Sequence, residues 1–533
     1  MTLKLTSTDG RPRLQLLAAS VALSLLGDQG VAATAAHPAV AAERPMLQAL
    51  AGGRLPTGQN IDAIEAWLRR RAAASATGVF PDLVATTRAV SNCNDTGDGS
   101  LRSAVTSAIT GDTVDMSSLG CSLITLTSGY LKTAANNLTV KGKTQQTLTI
   151  DGNYNSSVFL HTGTGTLAIS DVTIRHGRYG YGGCIGSTGS VALTRVTVTA
   201  CAATGLTVFA SGGGIIAGGN LTMTSSLLSS NDAYDASFSG KKAYGGGALV
   251  IGNATISGST INNNHATTST YAAGGGLYVK GTLGISNSTI SNNVAIQVLG
   301  THAGGGGIAI LGNLTIAGTT IEGNNATIGG GLLSGIHSLV TLTNSTVSNN
   351  TSFFAGGIAS SSTLHLNNST VALNYAGGNA GGAGVYVGAD SVFQSTIIGH
   401  NYAGQGCTYK CISGPAGATF PADLSSGGKA ITISGANNLI VSKGSTITVP
   451  VDTLAEDPML ASFLENNGGP TQTLALNALS PAIDKGNNVA GLGTDQRGPP
   501  FCRKIGAKPD IGAFEVQPAG GCGLIFADSF EAQ

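Results

Sequence analysis

Residues 274–293 read Gly274-Gly275-Gly276-Leu277-Tyr278-Val279-Lys280-Gly281-Thr282-Leu283-Gly284-Ile285-Ser286-Asn287-Ser288-Thr289-Ile290-Ser291-Asn292-Asn293. A glycine cluster leads into alternating aliphatics, then into a Ser-Thr-aliphatic step that ends in asparagine. Glycine clusters recur at Gly212-Gly213-Gly214, Gly245-Gly246-Gly247, Gly304 to Gly307, Gly329-Gly330-Gly331, Gly356-Gly357 and Gly381-Gly382. Thr260, Thr289, Thr320, Thr346 and Thr370 follow one another at steps of 29, 31, 26 and 24 residues. Self-similarity at a period of about 20–50 residues marks a repeat architecture, and a propeller blade would need about 40 residues or more. Each unit holds three short strands and no helical-period run, so βαβ units are excluded. The reading is an all-β right-handed parallel β-helix, one coil per repeat.

Stacked coils place equivalent residues above one another at strand spacing. Asn231, Asn264, Asn293, Asn324, Asn350 and Asn374 would then form a ladder of inward-turned amides. Cys201 takes that position one coil earlier and Gly177 the coil before.

The rest of the chain fits this frame. Glycine supplies 79 of 533 residues, and charged residues are 10% against a typical value of about 25%. Lys+Arg and Asp+Glu balance at 27 each, leaving no electrostatic footprint for nucleic acid or an anionic membrane. Lys4, Arg11 and Arg13 precede an apolar run, Leu14 to Leu26, and the small residues Ala32 to Ala36, which reads as an export signal over 1–36. No later segment is long and apolar enough to span a bilayer. Eight cysteines suit an oxidising compartment. Proximity in the chain suggests Cys93–Cys121, Cys184–Cys201, Cys407–Cys411 and Cys502–Cys522, among many alternative connectivities.

Residues 37–88 read as an Ala-rich leader, with Ile61, Ile64, Trp67 and Leu68 on one face of a short helix. Residues 89–464 carry the β-helix. Ser100 would cap a short helix whose apolar side is Leu101, Ala104, Val105 and Ala108, closing the first coil. Residues 465–515 form a compact closing region, in which Asp484, Asp495, Arg497 and Asp510 read as a salt-linked cap. Residues 516–533 are a tail.

Two sets of motifs resemble a known group. Cys93-Asn94-Asp95-Thr96-Gly97-Asp98-Gly99-Ser100-Leu101-Arg102-Ser103-Ala104-Val105 is similar to the GSLR-x-A entry motif of secreted bacterial β-helix proteins. Asn466-Asn467-Gly468-Gly469-Pro470-Thr471, Ser480-Pro481-Ala482-Ile483-Asp484, Thr494-Asp495-Gln496-Arg497-Gly498 and Asp510-Ile511-Gly512-Ala513-Phe514-Glu515 resemble the choice-of-anchor Q C-terminal region. Pro509 stands where that group often has cysteine. The resemblance implies a pectin-lyase-like fold and a secreted or cell-surface protein. It implies no activity.

Enzymes on such a scaffold have residue requirements: paired carboxylates for hydrolysis, or metal-binding carboxylates with a basic residue for elimination. Between Gly212 and Gly406 the acids are Asp232, Asp235, Glu322 and Asp390, and the bases Lys241, Lys242 and Lys280. No Asp-Asp pair and no Gly-His-Gly, typical of polygalacturonase-type sites, occurs. The segments joining ladder position to the next glycine cluster are long in the coils between 201 and 304 and shorten afterwards, so they crowd one flank. They carry Phe209, Asp232, Tyr234, Asp235, Phe238, Lys241, Lys242, Tyr244, His265, Tyr271 and His302; Arg175, His176, Tyr179 and Tyr181 extend the flank upstream. Lys241, Lys242, His265 and Tyr271 are the candidates for proton transfer. Arg175, His176, Tyr179, Tyr181, Asp232, Tyr234, Asp235, Tyr244 and His302 are the candidates for binding a polysaccharide or cell-surface glycan, because tyrosines stack on sugars and charged groups orient hydroxyls. Calcium is the one cofactor left open, at Asp232 and Asp235, and two carboxylates fall short of the roughly six to eight oxygens it takes. The expected function is non-enzymatic adhesion or glycan binding; the alternative is a polysaccharide lyase or glycoside hydrolase on the long-loop flank.

Overall fold

The computed structural model describes residues 65–66, 68–70, 72–73, 84–204, 209–235, 242–297, 303–378, 382–404, 420–421, 423–518 and 522. All belong to the unit Glu43–Gln533. The export signal, most of the tail, Phe238, Lys241, His302, Cys407 and Cys411 lie outside the described residues.

The chain is a right-handed parallel β-helix, and its described residues assemble into three sheets of 24, 11 and 14 strands, here sheets I, II and III. The coil that opens at Gly245 shows the plan. Ala248–Val250 joins sheet II, Ala254–Ser257 and Thr260–Asn262 join sheet I, and His265–Thr268 and Tyr271–Ala273 join sheet III. The faces expected from the repeat are these sheets, with I and III each divided into two strands. Thr260, Thr289, Thr320, Thr346 and Thr370 pair in parallel register from coil to coil. The residues beside them, Ile261, Ile290, Ile321, Val347 and Val371, point inward and are fully buried. Each such side chain contributes roughly 1.5–3 kcal/mol of burial.

The glycine cluster and the asparagine are two sides of one corner. Gly245 has φ +63°, the left-handed conformation that turns the chain sharply into sheet II. A Cβ on Gly246 would lie 2.4 Å from the carbonyl carbon of His265, and one on Gly247 would lie 3.1 Å from Cγ of Asn264. The corner therefore closes only if both positions lack a side chain. Asn264 fills the space inside: its Nδ2 donates to Leu228 O and to Asn293 Oδ1, each at 2.9 Å. The same bonds link Asn231, Asn264, Asn293, Asn324, Asn350 and Asn374, and continue through Asn401 to Asp423. Asp423 accepts from Asn401 Nδ2 at 2.9 Å, and burial pushes its carboxyl above the usual range. At the upstream end Cys201 N donates to Asn231 Oδ1, and the Cys184–Cys201 disulfide occupies the corner where the amide would stand.

A second ladder runs between the two strands of sheet I. Backbone N–H groups of Ser226, Ser259 and Ser288 donate to the hydroxyls of Ser259, Ser288 and Thr319 at 3.1–3.4 Å. Each hydroxyl donates in turn to the carbonyl two residues upstream, as Ser259 does to Ser257 O at 2.8 Å. Every buried donor at this bend is thereby paired.

The entry motif is structural. Ser100 caps the helix Leu101–Thr106 by accepting from Ser103 N, and Leu101 and Val105 seal the first coil. Arg102 donates to Asp95, Gly129 O and Tyr130 O at 2.6–3.0 Å. Burial pushes the Asp95 carboxyl up, but donors from Arg102, Ser128 and Thr127 outweigh it and hold the group at about 2. Cys93–Cys121 and Cys502–Cys522 are joined.

The 465–515 region is fastened along the side of the stack rather than across its end. Thr320 Oγ1 donates to Gln472 O, Gln496 bridges Thr320 and Thr346, and Ala513 N donates to Thr370 Oγ1. Asp495 pairs with Arg497 at 2.6 Å, and the Arg497 guanidinium lies between the rings of Phe501 and Phe514 at 4.0 and 3.9 Å. Arg503 pairs with Glu515 at 2.9 Å, with both side chains buried. Asp510 is held instead by backbone donors, accepting from Asp484 N at 2.8 Å and from Val516 N at 2.7 Å.

Candidate functional site

Where they are described, the long segments on consecutive coils form strands. Their first arms, exemplified by Asp232–Tyr234 and His265–Thr268, continue sheet III, and their second arms, Phe209–Ser211, Lys242–Tyr244 and Tyr271–Ala273, form a parallel ladder beside it. The two layers pack through methyl groups. Ala203, Ala233, Ala266 and Ala295 of one layer and Ala210, Ala243, Ala272 and Ala303 of the other make one cluster, none more than 1% exposed. Alanine is small enough to let two strand layers approach closely and still leaves an apolar side chain to bury. The result is a double-layered fin in which methyl groups fill the space between the described strands.

Side chains alternate along a strand. With Ala233 and Ala243 turned inward, their neighbours point outward on opposite faces. Asp232, Tyr234 and His265 lie on one face, and Phe209, Lys242, Tyr244 and Tyr271 on the other. The proton-transfer candidates His265 and Lys242 therefore do not converge.

On the first face, His265 Nδ1 lies 3.1 Å from Asp232 Oδ1, with the side chains 49% and 47% exposed. Arg178 donates to the Tyr234 hydroxyl at 3.2 Å across two coils. Upstream, Arg175 and His176 both engage Asp151, at 2.8 and 3.0 Å, and His176 stacks on Tyr154 with ring centroids 4.4 Å apart. Tyr179 meets Tyr130 edge-on at 6.0 Å. Asp235 is buried, whereas Asp232 faces solvent, so the two carboxylates do not share an environment. Among the described residues no three His, Cys, Asp or Glu side chains gather as metal ligands would.

The second face is aromatic. Tyr244 meets Tyr278 at 5.0 Å and 68°, and Tyr271 at 5.9 Å. Tyr181 packs against this cluster. Burial pushes all three hydroxyls of Tyr244, Tyr271 and Tyr278 up and pulls the Lys242 ammonium down. Sequence reading missed Tyr278, which sits on sheet II and not on the long segments; its signal was an aromatic in the middle of a strand whose flanking residues, Leu277 and Val279, face the core. The Ala-rich leader contributes as well. Leu68, on a helical stretch with Glu65, Ala66, Arg69, Arg70, Ala72 and Ala73, is 4% exposed and packs into this same cluster.

No protein-family model and no curated protein matches the chain. Among solved structures, the crystal structure of pectate lyase Pel9A is similar over 83% of this chain and 98% of that one, with 14% identity and a TM-score of 0.32. Among the described residues no helix is long and apolar enough to cross a membrane.

Proposed function

We propose that this chain is a secreted or cell-surface protein of the choice-of-anchor Q group that binds glycans through its fin and does not turn them over. The observation that carries the reading is the back-to-back placement of the proton-transfer candidates, His265 on one face of the fin and Lys242 and Tyr271 on the other. An acid and a base must reach the same reacting atoms, and these are separated by a methyl-packed layer. What remains is a flank on which tyrosines, an Arg178–Tyr234 contact and an Asp232–His265 pair present rings and polar groups along successive coils. Such a surface suits a polymer of repeating sugars. The terminal motifs, the basic and apolar N-terminus and three disulfides support an extracytoplasmic location.

Binding to a polysaccharide panel by affinity electrophoresis tests this. Tyr234→Ala and His265→Ala should each weaken binding by about fivefold or more, the loss expected of a contact worth over about 1 kcal/mol. Retention of full affinity in both variants contradicts the assignment.

A further inference from the structure

We propose that the leader helix is a displaceable latch, with Leu68 and Glu65 occupying a second, aromatic glycan site that accepts a carboxylate-bearing sugar when the latch lifts. The proposal rests on the glycan-binding reading for its ligand class and extends it to the other face of the fin.

The site is built on the outside of sheet II. In Ile215–Ala217, Ala248–Val250, Leu277–Val279 and Ile308–Ile310 the end residues belong to the interior core, so Ile216, Leu249, Tyr278 and Ala309 point outward. They are nonetheless no more than 4% exposed. Phe209, Tyr244 and Tyr271 of the fin close in from one side, and Leu68 of the leader packs into the same cluster.

Two features mark this as more than a hydrophobic contact. The hydroxyls of Tyr244 and Tyr278 are buried and have no hydrogen-bond partner. Buried polar groups in native proteins are almost always paired, and an apolar leucine cannot pair them. A sugar supplies donors and acceptors beside faces that stack on rings. The second feature is charge. Glu65 forms an ion pair with Lys280, two residues from Tyr278. Lys242 lies in register between Phe209 and Tyr271. The Glu65 carboxylate thus stands where an acidic sugar would place its own, and the leader mimics the ligand it excludes.

Among the described leader residues only Leu68 is buried, while Arg69 and Arg70 are exposed. A site blocked in most molecules shows an affinity reduced by the open fraction, and releasing the block restores it.

The test uses the full chain with alginate as the carboxylate-bearing probe and dextran as the neutral one. Leu68 lies outside the main core cluster, so Leu68→Ser, which removes the apolar plug without adding charge, should keep the wild-type circular dichroism spectrum and bind alginate about tenfold more tightly, with dextran binding unchanged. Adding Tyr278→Phe, which removes only a hydroxyl, should abolish the gain. Glu65→Gln, which removes the ionic contacts with Lys280 and Arg69 but leaves Leu68 in place, should give a smaller gain of about two- to threefold. In the wild-type chain, alginate should speed tryptic cleavage at Arg69 and Arg70. Unchanged alginate affinity in both folded variants overturns the latch. If binding then still falls in Tyr234→Ala, the open-face reading stands without it. If neither the wild-type chain nor Leu68→Ser binds any glycan, both readings fall.

Discussion

Asp232 and Lys242 stand on opposite faces of one fin, each next in the chain to an alanine, Ala233 or Ala243, buried between its two layers. Everything the flank can do follows from that relationship. Side chains that looked like one cluster in the sequence are two separate surfaces, one open and one covered.

The methyl packing makes the fin intolerant of larger residues. Ala266 is fully buried, so Ala266→Leu should cost about 1–3 kcal/mol through overpacking. The adjacent His265→Ala should stay within about 0.5 kcal/mol, because that side chain is half in solvent. Urea denaturation distinguishes the two; equal effects would mean that the layers do not touch.

The amide ladder gives a sharper case. Asn293 links Asn264 to Asn324 and caps Ile261 O, with no exposure. Asn293→Ala should lower stability by about 1–3 kcal/mol, since the backbone groups of two coils lose their partner. A thermal melt superimposable on the wild type would exclude an interior role.

This corner was legible in the sequence, and the fin was not. Gly247 and Asn264 are rare residue choices with one physical reason each, and they recur at a period that reveals the coil. Ala233 and Ala243 are common residues in segments of irregular length, and nothing local distinguishes an alanine packed between strands from one in a surface loop. The Ser226–Ser259–Ser288 ladder was visible as a repeated hydroxyl but not as a hydrogen-bonded row, because its partners lie one coil away. The side-on docking of Gln496 to Thr320 and Thr346 spans some 150–176 residues and leaves no local trace.

Stability should depend on pH through His161. The ring is fully buried, accepting from Ser187 Oγ at Nδ1 (2.7 Å) and donating from Nε2 to Ala135 O (3.0 Å). Burial holds its pKa below the ordinary 6.5, only partly offset by Ala135. The unfolded chain therefore binds the proton first as pH falls below about 6.5, and stability declines through that window. Melting temperatures between pH 8 and pH 5 should show a steeper loss in the wild type than in His161→Gln; parallel curves would exclude this source.

The C-terminal region carries its own buried pair. Arg503→Ala leaves Glu515 as a buried carboxylate without its counter-ion, and should cost about 3–5 kcal/mol. Loss of the 465–515 region's protection in hydrogen exchange, with the Asn231–Asn374 coils still protected, is the expected signature. Unaltered exchange would show that the pair does not fasten this region.

The central claim is that the flank binds glycans and does not cleave them. The most direct measurement incubates the full chain, at concentrations that saturate binding, with each polysaccharide it retains, and follows unsaturated products and new reducing ends over days. The expected result is retention with no product above the protein-free control. Product that accumulates in proportion to protein, and disappears in Lys242→Ala or His265→Ala, would contradict it.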